Sequence, residues 1–265
     1  MTLAPTHLLV RQAVQATFRA LVAERPAVVR VRQGEKRVSH GGSWLAIGPG
    51  SLAVLPSGEP LTIENQPALS GLYVASALVL GPETLPPGDP SRLAKDDRAL
   101  AAFDRATAAC EDPLLPLALR EHAVAGVLLW LAQEGVGVGP ARSAGLAARL
   151  RTLLAEDLAA PWTAPEAARA LALSEATLRR RLAREGTSFS DLLADLRMSR
   201  ALGLLQATSQ PVNRVALEVG YDCPSRFAVR FRARFGITPS MVRGRVDRIG
   251  TNLDRRRTAK DHSEG

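Results

Sequence analysis

The 265-residue sequence predicts an α+β chain in two domains, an N-terminal antiparallel β-barrel or sandwich with flanking helices and a C-terminal all-α domain. Three observations predict this. Between positions 27 and 80, short apolar runs are punctuated by Gly and Pro at intervals of roughly ten residues, the spacing of a small all-β domain. Beyond position 146 the period changes to i, i+3, i+4, that of amphipathic helices. There, a helix, a tight turn and a second Arg-rich helix occur twice, so the domain reads as two helix-turn-helix units joined by a central helix.

Residues 8–23 are expected to form a helix ahead of the sheet. Strand candidates follow: Val29 and Val31 before Gly34; 44–47 before Gly48-Pro49-Gly50; 52–55 before Pro56-Ser57-Gly58; 61–63 before Asn65-Gln66-Pro67; and 72–80 before Gly81-Pro82. Two helices are expected at 91–109 and 116–134. In the second, Leu117, Val124, Leu128 and Leu131 share one stripe, which serves either packing against the barrel or a dimer seam. Gly135-Val136-Gly137-Val138-Gly139-Pro140 reads as a flexible linker. The chain thus divides into 1–90 (barrel), 91–134 (helical pair), 135–145 (linker), 146–245 (helix-turn-helix domain) and a disordered tail at 246–265, whose Arg255-Arg256-Arg257 adds non-specific attraction for DNA.

The first helix-turn-helix opens at Thr163-Ala164-Pro165-Glu166. Thr163 is placed to cap, Glu166 to close a capping box, and Pro165 to sit where a missing N–H does no harm. A turn at Ala172-Leu173-Ser174 leads to a helix at 175–184 capped by Ser174 and stopped at Gly186. Leu178 and Leu182 mark its buried side. At about 100° per residue, Ala176, Thr177, Arg180 and Arg184 then point outward, with Arg179 and Arg181 on the flanks. In the second unit Val212, Val215, Ala216 and Val219 make one helical face, and a helix from Pro224 buries Phe227, Phe231 and Phe235. Ser225, Arg226, Val229 and Arg232 face outward there, with Arg230 and Arg234 at the edges. Between the units, Ser190 is expected to cap a helix to about Gln206, with Leu192, Leu193, Leu196 and Leu204 on one side and Met198, Leu202 and Leu205 on another. Such a rod suits two reading helices about 34 Å apart, one DNA turn.

Charge points the same way. Residues 146–245 hold 16 Lys+Arg against 9 Asp+Glu, residues 1–145 hold 13 of each, and the whole-chain excess is +8. The excess therefore sits in the domain expected to read DNA, and it is arginine-dominated, which suits phosphate and guanine contacts.

The run from Trp162 through Gly244 resembles the DNA-binding region of the arabinose-regulator (AraC/XylS) family of bacterial transcription factors. The resemblance lies in Leu173-Ser174, Leu178-Arg179-Arg180, Gly186-Thr187-Ser188-Phe189, Arg197, Ala201, Leu204-Leu205, Pro211-Val212, Val215-Ala216, Gly220-Tyr221, Phe227, Phe231 and Phe235-Gly236-Ile237-Thr238-Pro239. It implies base-reading positions at Ala176, Arg179 and Arg180, and at Ser225, Arg226 and Val229; the helical face agrees on all but Arg179. Phosphate contacts are expected from Ser174, Thr177, Arg184, Arg230 and Arg232. It also implies a cupin-like N-terminal barrel that senses an effector or dimerises, double-stranded promoter DNA and RNA polymerase as partners, and a homodimer.

No catalysis, cofactor or metal is expected. A metal-dependent cupin needs several histidines, and the segment 27–80 has only His40, beside Gly41. A DNA-repair methyltransferase, which shares this type of reading domain, needs a Pro-Cys-His nucleophile and a zinc cluster, and the chain has neither. An architectural DNA binder would differ in lacking sequence preference. Arg30, Arg32, Trp44 and Tyr73 are candidate effector-pocket residues for a small anionic or polar molecule, although alternating Arg also fits a strand's solvent face. Cys110 and Cys223 are too few for a disulfide framework and read as small buried hydrophobes, with Cys223 acidified if exposed at its helix start. With no signal peptide and no apolar run of eighteen residues, no membrane is expected and the protein should be cytoplasmic.

Overall fold

The computed structural model describes residues 4–40, 42–81, 84–138 and 145–243. Eight strands come first: β1 (Thr6–Gln12), β2 (Ala16–Val22), β3 (Ala27–Gln33), β4 (Glu35–His40), β5 (Ser43–Ile47), β6 (Leu52–Leu55), β7 (Pro60–Gln66) and β8 (Tyr73–Val79). They form two four-stranded sheets of antiparallel pairs, ordered β1-β8-β3-β6 and β2-β7-β4-β5. Between them lies a core that includes Val29, Val31, Val38, Ile47, Leu61, Ile63 and Tyr73. The arrangement is consistent with a cupin-like barrel whose two sheets stay separate.

The expected helix at 8–23 is instead β1 and β2. Both are made by distant partners, Thr6 to Gln12 pairing with Val79 to Tyr73 and Ala16 with Asn65, and pairing across so long a stretch of chain leaves no local signature. β4 was not expected as a strand, because Glu35-Lys36-Arg37 after Gly34 reads as a polar turn; Lys36 and Val38 nonetheless both point inward.

Helices α1 (Asp97–Glu111) and α2 (Leu117–Gln133) cover the outer face of the first sheet, burying Leu100, Phe103, Val124, Val127 and Leu131 against Val28, Val54 and Leu78. Of the stripe expected on α2, Val124 and Leu131 are buried and Leu128 is partly so, which makes it a packing stripe; only Leu117 stays exposed. The segment expected to begin a flexible linker is pinned. Val136 is buried, Asp89 N–H donates to the Gly135 carbonyl (3.0 Å), and Gly88 N–H donates to that of Val138 (3.0 Å). A Cβ on Gly137 would stand 2.2 Å from the Pro86 carbonyl oxygen, so this approach requires glycine. The rest of the expected linker, 139–144, and the tail at 246–265 lie outside the described residues.

The C-terminal domain holds α3 (Leu146–Glu156), α4 (Ala164–Ala170), α5 (Glu175–Arg184), α6 (Phe189–Ala207), α7 (Val212–Glu218), α8 (Pro224–Phe235) and α9 (Pro239–Arg243). Helix α6 is the expected rod. Leu192, Leu193 and Leu196 pack into the first unit, and Met198, Ala201, Leu202 and Leu205 into the second. Two details differ: Ser188, not Ser190, caps α6, its Oγ accepting from Asp191 N–H (3.2 Å), and Leu204 sides with the second unit.

The two domains are docked. Phe18 of β2 meets Phe235 of α8 edge-on with ring centroids 5.3 Å apart, and Ala16 and Phe18 share one buried cluster with the second unit. A bulge in β2 between Phe18 and Leu21, with Ala20 at φ 50, shapes this contact, and Arg234 Nη2 donates to the Ala20 carbonyl (3.4 Å).

Candidate DNA-reading surface and interior cavity

The helices of each unit are fixed by local chemistry. At α4, Thr163 N–H donates to Glu166 Oε2 (2.9 Å) while Glu166 N–H donates to Thr163 Oγ1 (3.4 Å), the reciprocal capping box expected from sequence. Ser174 caps α5, accepting from Thr177 N–H (3.2 Å), and its hydroxyl also donates to Thr177 Oγ1 (2.9 Å). The turn between α4 and α5 places Ala172 at φ 55, a left-handed conformation that strains a residue with a Cβ. In the second unit Pro224 starts α8 and Gly236, at φ 73, ends it; Phe227, Phe231 and Phe235 stack along its buried side with centroids 5.6 and 4.8 Å apart.

This fixing leaves one face of each helix open. On α5 and its cap, Ser174, Ala176, Arg179, Arg180 and Arg184 are exposed and Thr177 is partly so. On α8, Ser225, Arg226, Val229, Arg230 and Arg232 are exposed. Among the described residues, the six arginines at 179, 180, 184, 226, 230 and 232 make no ion pair or side-chain hydrogen bond within the protein. Several arginines elsewhere are engaged, Arg25 with the Leu80 carbonyl, Arg30 and Arg32 with Asp104, Arg98 with Asp96, Arg200 with Glu24, and Arg234 with Asp195, whereas others, such as Arg105, Arg181 and Arg214, make no ion pair or side-chain hydrogen bond either. Unpaired guanidinium groups gathered on two helical faces are what an external polyanion requires.

A bracket sets the two units against each other. Arg197 of α6 donates from Nε to the Leu158 carbonyl (3.0 Å) and from Nη2 to that of Ala160 (2.9 Å), with its guanidinium 6.0 Å from the centre of the Tyr221 ring. Gly220 closes it, since a Cβ there would lie 2.7 Å from Arg197 Nη2 and 2.8 Å from the Leu158 carbonyl oxygen. Cys223, at the start of α8, has its thiol pKa lowered by the backbone N–H groups of Arg226 and Ser225, the direction expected for a cysteine at a helix start; burial pushes that of Cys110 up.

The expected effector residues are not brought together. Arg30 and Arg32 alternate onto the outer face of β3 and pair with Asp104 of α1 at 2.6 and 2.5 Å. Trp44 is exposed, with the Arg37 guanidinium 5.1 Å from its ring centre. Of the four, only Tyr73 lines the cavity of about 440 Å³ between the sheets and α6. Its walls are largely apolar, among them Leu8, Val29, Leu61, Ile63 and Leu202. The exposed Glu24 and Arg200 and the half-buried Arg25 and Gln206 also line it, and two polar groups are buried in it. Burial raises the Tyr73 hydroxyl pKa well above its usual value, and that oxygen has no hydrogen-bond partner. Lys36, 6% exposed, donates to Asn65 Oδ1 (2.7 Å) and lies 5.4 Å from the centre of the Tyr73 ring; burial brings its pKa down to about 7. Sequence reasoning missed Lys36 because it missed β4; its inward parity with Val38 was the available signal. Among the described residues no cluster of His, Cys, Asp or Glu is placed to hold a metal, and no helix is long and apolar enough to cross a membrane.

Comparison with known proteins bears on the same helices. A family model described as a helix-turn-helix domain matches residues 167–245. Over 92 residues the chain is 38% identical to the transcriptional regulator GadX of Escherichia coli O6:H1, and over 91 residues 37% identical to the transcriptional regulator SirC of Salmonella typhimurium. The dual transcriptional regulator Rns of Escherichia coli is 36% identical over 91 residues. This chain carries an AraC/XylS-type helix-turn-helix domain. The matches to GadX, SirC and Rns cover 35%, 34% and 34% of this chain and 34%, 31% and 34% of theirs, so they speak for the AraC/XylS-type domain alone. Across nearly the whole length, the fold is similar to that of ToxT from Vibrio cholerae. One crystal structure of it, bound to an unsaturated fatty acid, gives a TM-score of 0.63 at 11% identity over 89% of this chain and 94% of that one. Another gives 0.64 at 13% identity over 91% and 99%.

Proposed function

We propose that this chain is a sequence-specific transcriptional regulator of bacterial promoters, with α5 and α8 entering successive major grooves. The observation that carries this is the set of six unpaired arginines on the two open helical faces. In this reading Ala176, Arg179, Arg180, Ser225, Arg226 and Val229 touch base edges, while Ser174, Thr177, Arg184, Arg230 and Arg232 hold phosphates. Ala176 and Val229 offer contacts to thymine methyls rather than hydrogen bonds. The protein works in the cytoplasm, needs no catalytic group, and acts on transcription through RNA polymerase. It pairs as a homodimer through the outer side of α2, where Leu129 is 72% exposed and follows Ala118, His122 and Ala125 at helical spacing. The test is a titration of the full-length chain on duplexes selected from a randomised pool, against scrambled duplexes, at about 150 mM salt. A preference of roughly a thousandfold or more is expected; equal binding would leave only an architectural role.

The cavity supports an effector of definite chemistry. ToxT has been crystallised with an unsaturated fatty acid and with a naphthyl-butenoic acid, each an apolar body carrying one carboxylate. Here a largely apolar chamber holds one buried cation, Lys36, without an anionic partner among the described residues, beside an unpartnered phenol, Tyr73, while Arg200 and Arg25, which also line it, are engaged with Glu24 and the Leu80 carbonyl. An amphipathic carboxylate would supply the counter-charge and accept from both. Calorimetry should show oleic acid binding and oleyl alcohol binding far more weakly, with Lys36→Met erasing the difference; equal affinity for acid and alcohol would exclude this ligand class.

A further inference from the structure

Lys36 does not end at Asn65. The Asn65 amide Nδ2 donates to Gln12 Oε1 (2.9 Å), and that same oxygen accepts from Gln206 Nε2 (2.7 Å). Gln12 Nε2 in turn donates to the Val14 carbonyl (2.7 Å). Gln12 and Asn65 are 0% and 1% exposed, so neither exchanges these bonds for water. The chain of contacts runs from β4 through β7 and β1 to the last turn of α6, the helix that carries both reading units.

Its direction is fixed by donor and acceptor chemistry. An ammonium only donates, so Asn65 must turn its carbonyl to Lys36 and its NH2 to Gln12. Gln12 must then present its carbonyl, which leaves Gln206 as donor. If an anion draws the ammonium away, the Asn65 carbonyl is left buried without a donor, an unfavourable arrangement. Rotating the Asn65 amide relieves that loss only by facing oxygen to oxygen at Gln12, and the conflict passes on to Gln206. Hydrogen bonds merely satisfying buried groups would not need to cross between domains; this set does, at Gln206.

We infer that Asn65, Gln12 and Gln206 are positioning residues that tie the seat of α6, and so DNA binding, to the state of Lys36. For its ligand the inference rests on the effector reading above, but its main test uses none. Full-length wild type, Lys36→Met, Gln206→Met and the double variant are titrated on a duplex selected by wild type from a randomised pool. Lys36 and Gln206 do not touch, so without the relay their effects add. The expected result is that Lys36→Met changes the Kd threefold or more in wild type and less than 1.5-fold in the Gln206→Met background. Equal changes in both backgrounds, or no change in wild type, would overturn it. Should Gln206→Met fail to fold by circular dichroism, Gln206→Ala replaces it at the helix end. A second arm adds oleic acid. Gln206→Met should bind it within twofold of wild type while its effect on DNA affinity falls from fivefold or more to below twofold; an unchanged effect counts against the relay. If wild type does not bind oleic acid, the effector reading fails, and the ligand-free cycle still decides the relay.

Discussion

An ammonium enclosed with amides and an aromatic face makes stability depend on pH in an uncommon direction. Lys36 has its pKa lowered from 10.5 to about 7 by burial, so between these values the unfolded chain carries the proton and the folded one does not. Stability therefore rises as pH climbs from about 7 towards 10.5, and the burial penalty is in full force below 7. Lys36→Met is expected to stabilise the ligand-free protein by on the order of a few kcal/mol near pH 6 and by much less near pH 10, read from urea unfolding. Equal gains at both pH values would mean that burial does not oppose the charge. At the reading surface, Arg180→Ala should cost about 1–3 kcal/mol on a selected duplex and relax preference at one position, whereas Arg184→Ala should weaken selected and scrambled DNA alike. Equal loss on both duplexes for Arg180→Ala would remove it from the base readers. The exposure of the arginines on α5 and α8 was legible because helical period alone separates them from the leucines and phenylalanines. The cavity residues were not: a lysine flanked by Glu35 and Arg37 looks solvated until the pairing of β4 with β7 turns it inward.

Among the elements, the helices announced themselves through caps, such as Thr163 with Glu166 and the left-handed Gly236, because capping is local chemistry. β1 and β2 did not, since what makes them strands lies at β8 and β7. The turn of the first unit is a local feature with a measurable cost. Ala172 sits at φ 55, where glycine escapes the clash, so Ala172→Gly should be neutral or stabilising by up to about 1 kcal/mol despite the greater freedom of the unfolded chain. A loss above about 1 kcal/mol in thermal unfolding would show that the alanine methyl is needed for packing. Arg197 acts at the same scale. Arg197→Met should lower affinity for the selected duplex and, above all, tolerate one extra base pair between its two boxes, which wild type should reject. If the variant rejects the insertion as strongly as wild type, the bracket does not set the spacing.

Over the whole molecule, the excess positive charge of residues 146–245 and its unpaired arginines predict affinity that falls steeply with salt. Removing one phosphate contact, Arg230 or Arg184, should lower the slope of log K against log salt by about 1; an unchanged slope would mean that the side chain meets no phosphate. The division of the chain into a β domain and a helical domain was legible from the change of period, but their docking was not, because nothing in Phe18 signals that its ring belongs beside Phe235. That contact has a thermodynamic consequence for control. Withdrawing β2 from α8 returns a fully buried phenylalanine to water at a cost of about 1.5–3 kcal/mol, before any other contact is counted. A ligand that works by parting the domains must therefore prefer the parted form by at least roughly ten- to a hundredfold, and one that binds both forms equally would leave them docked.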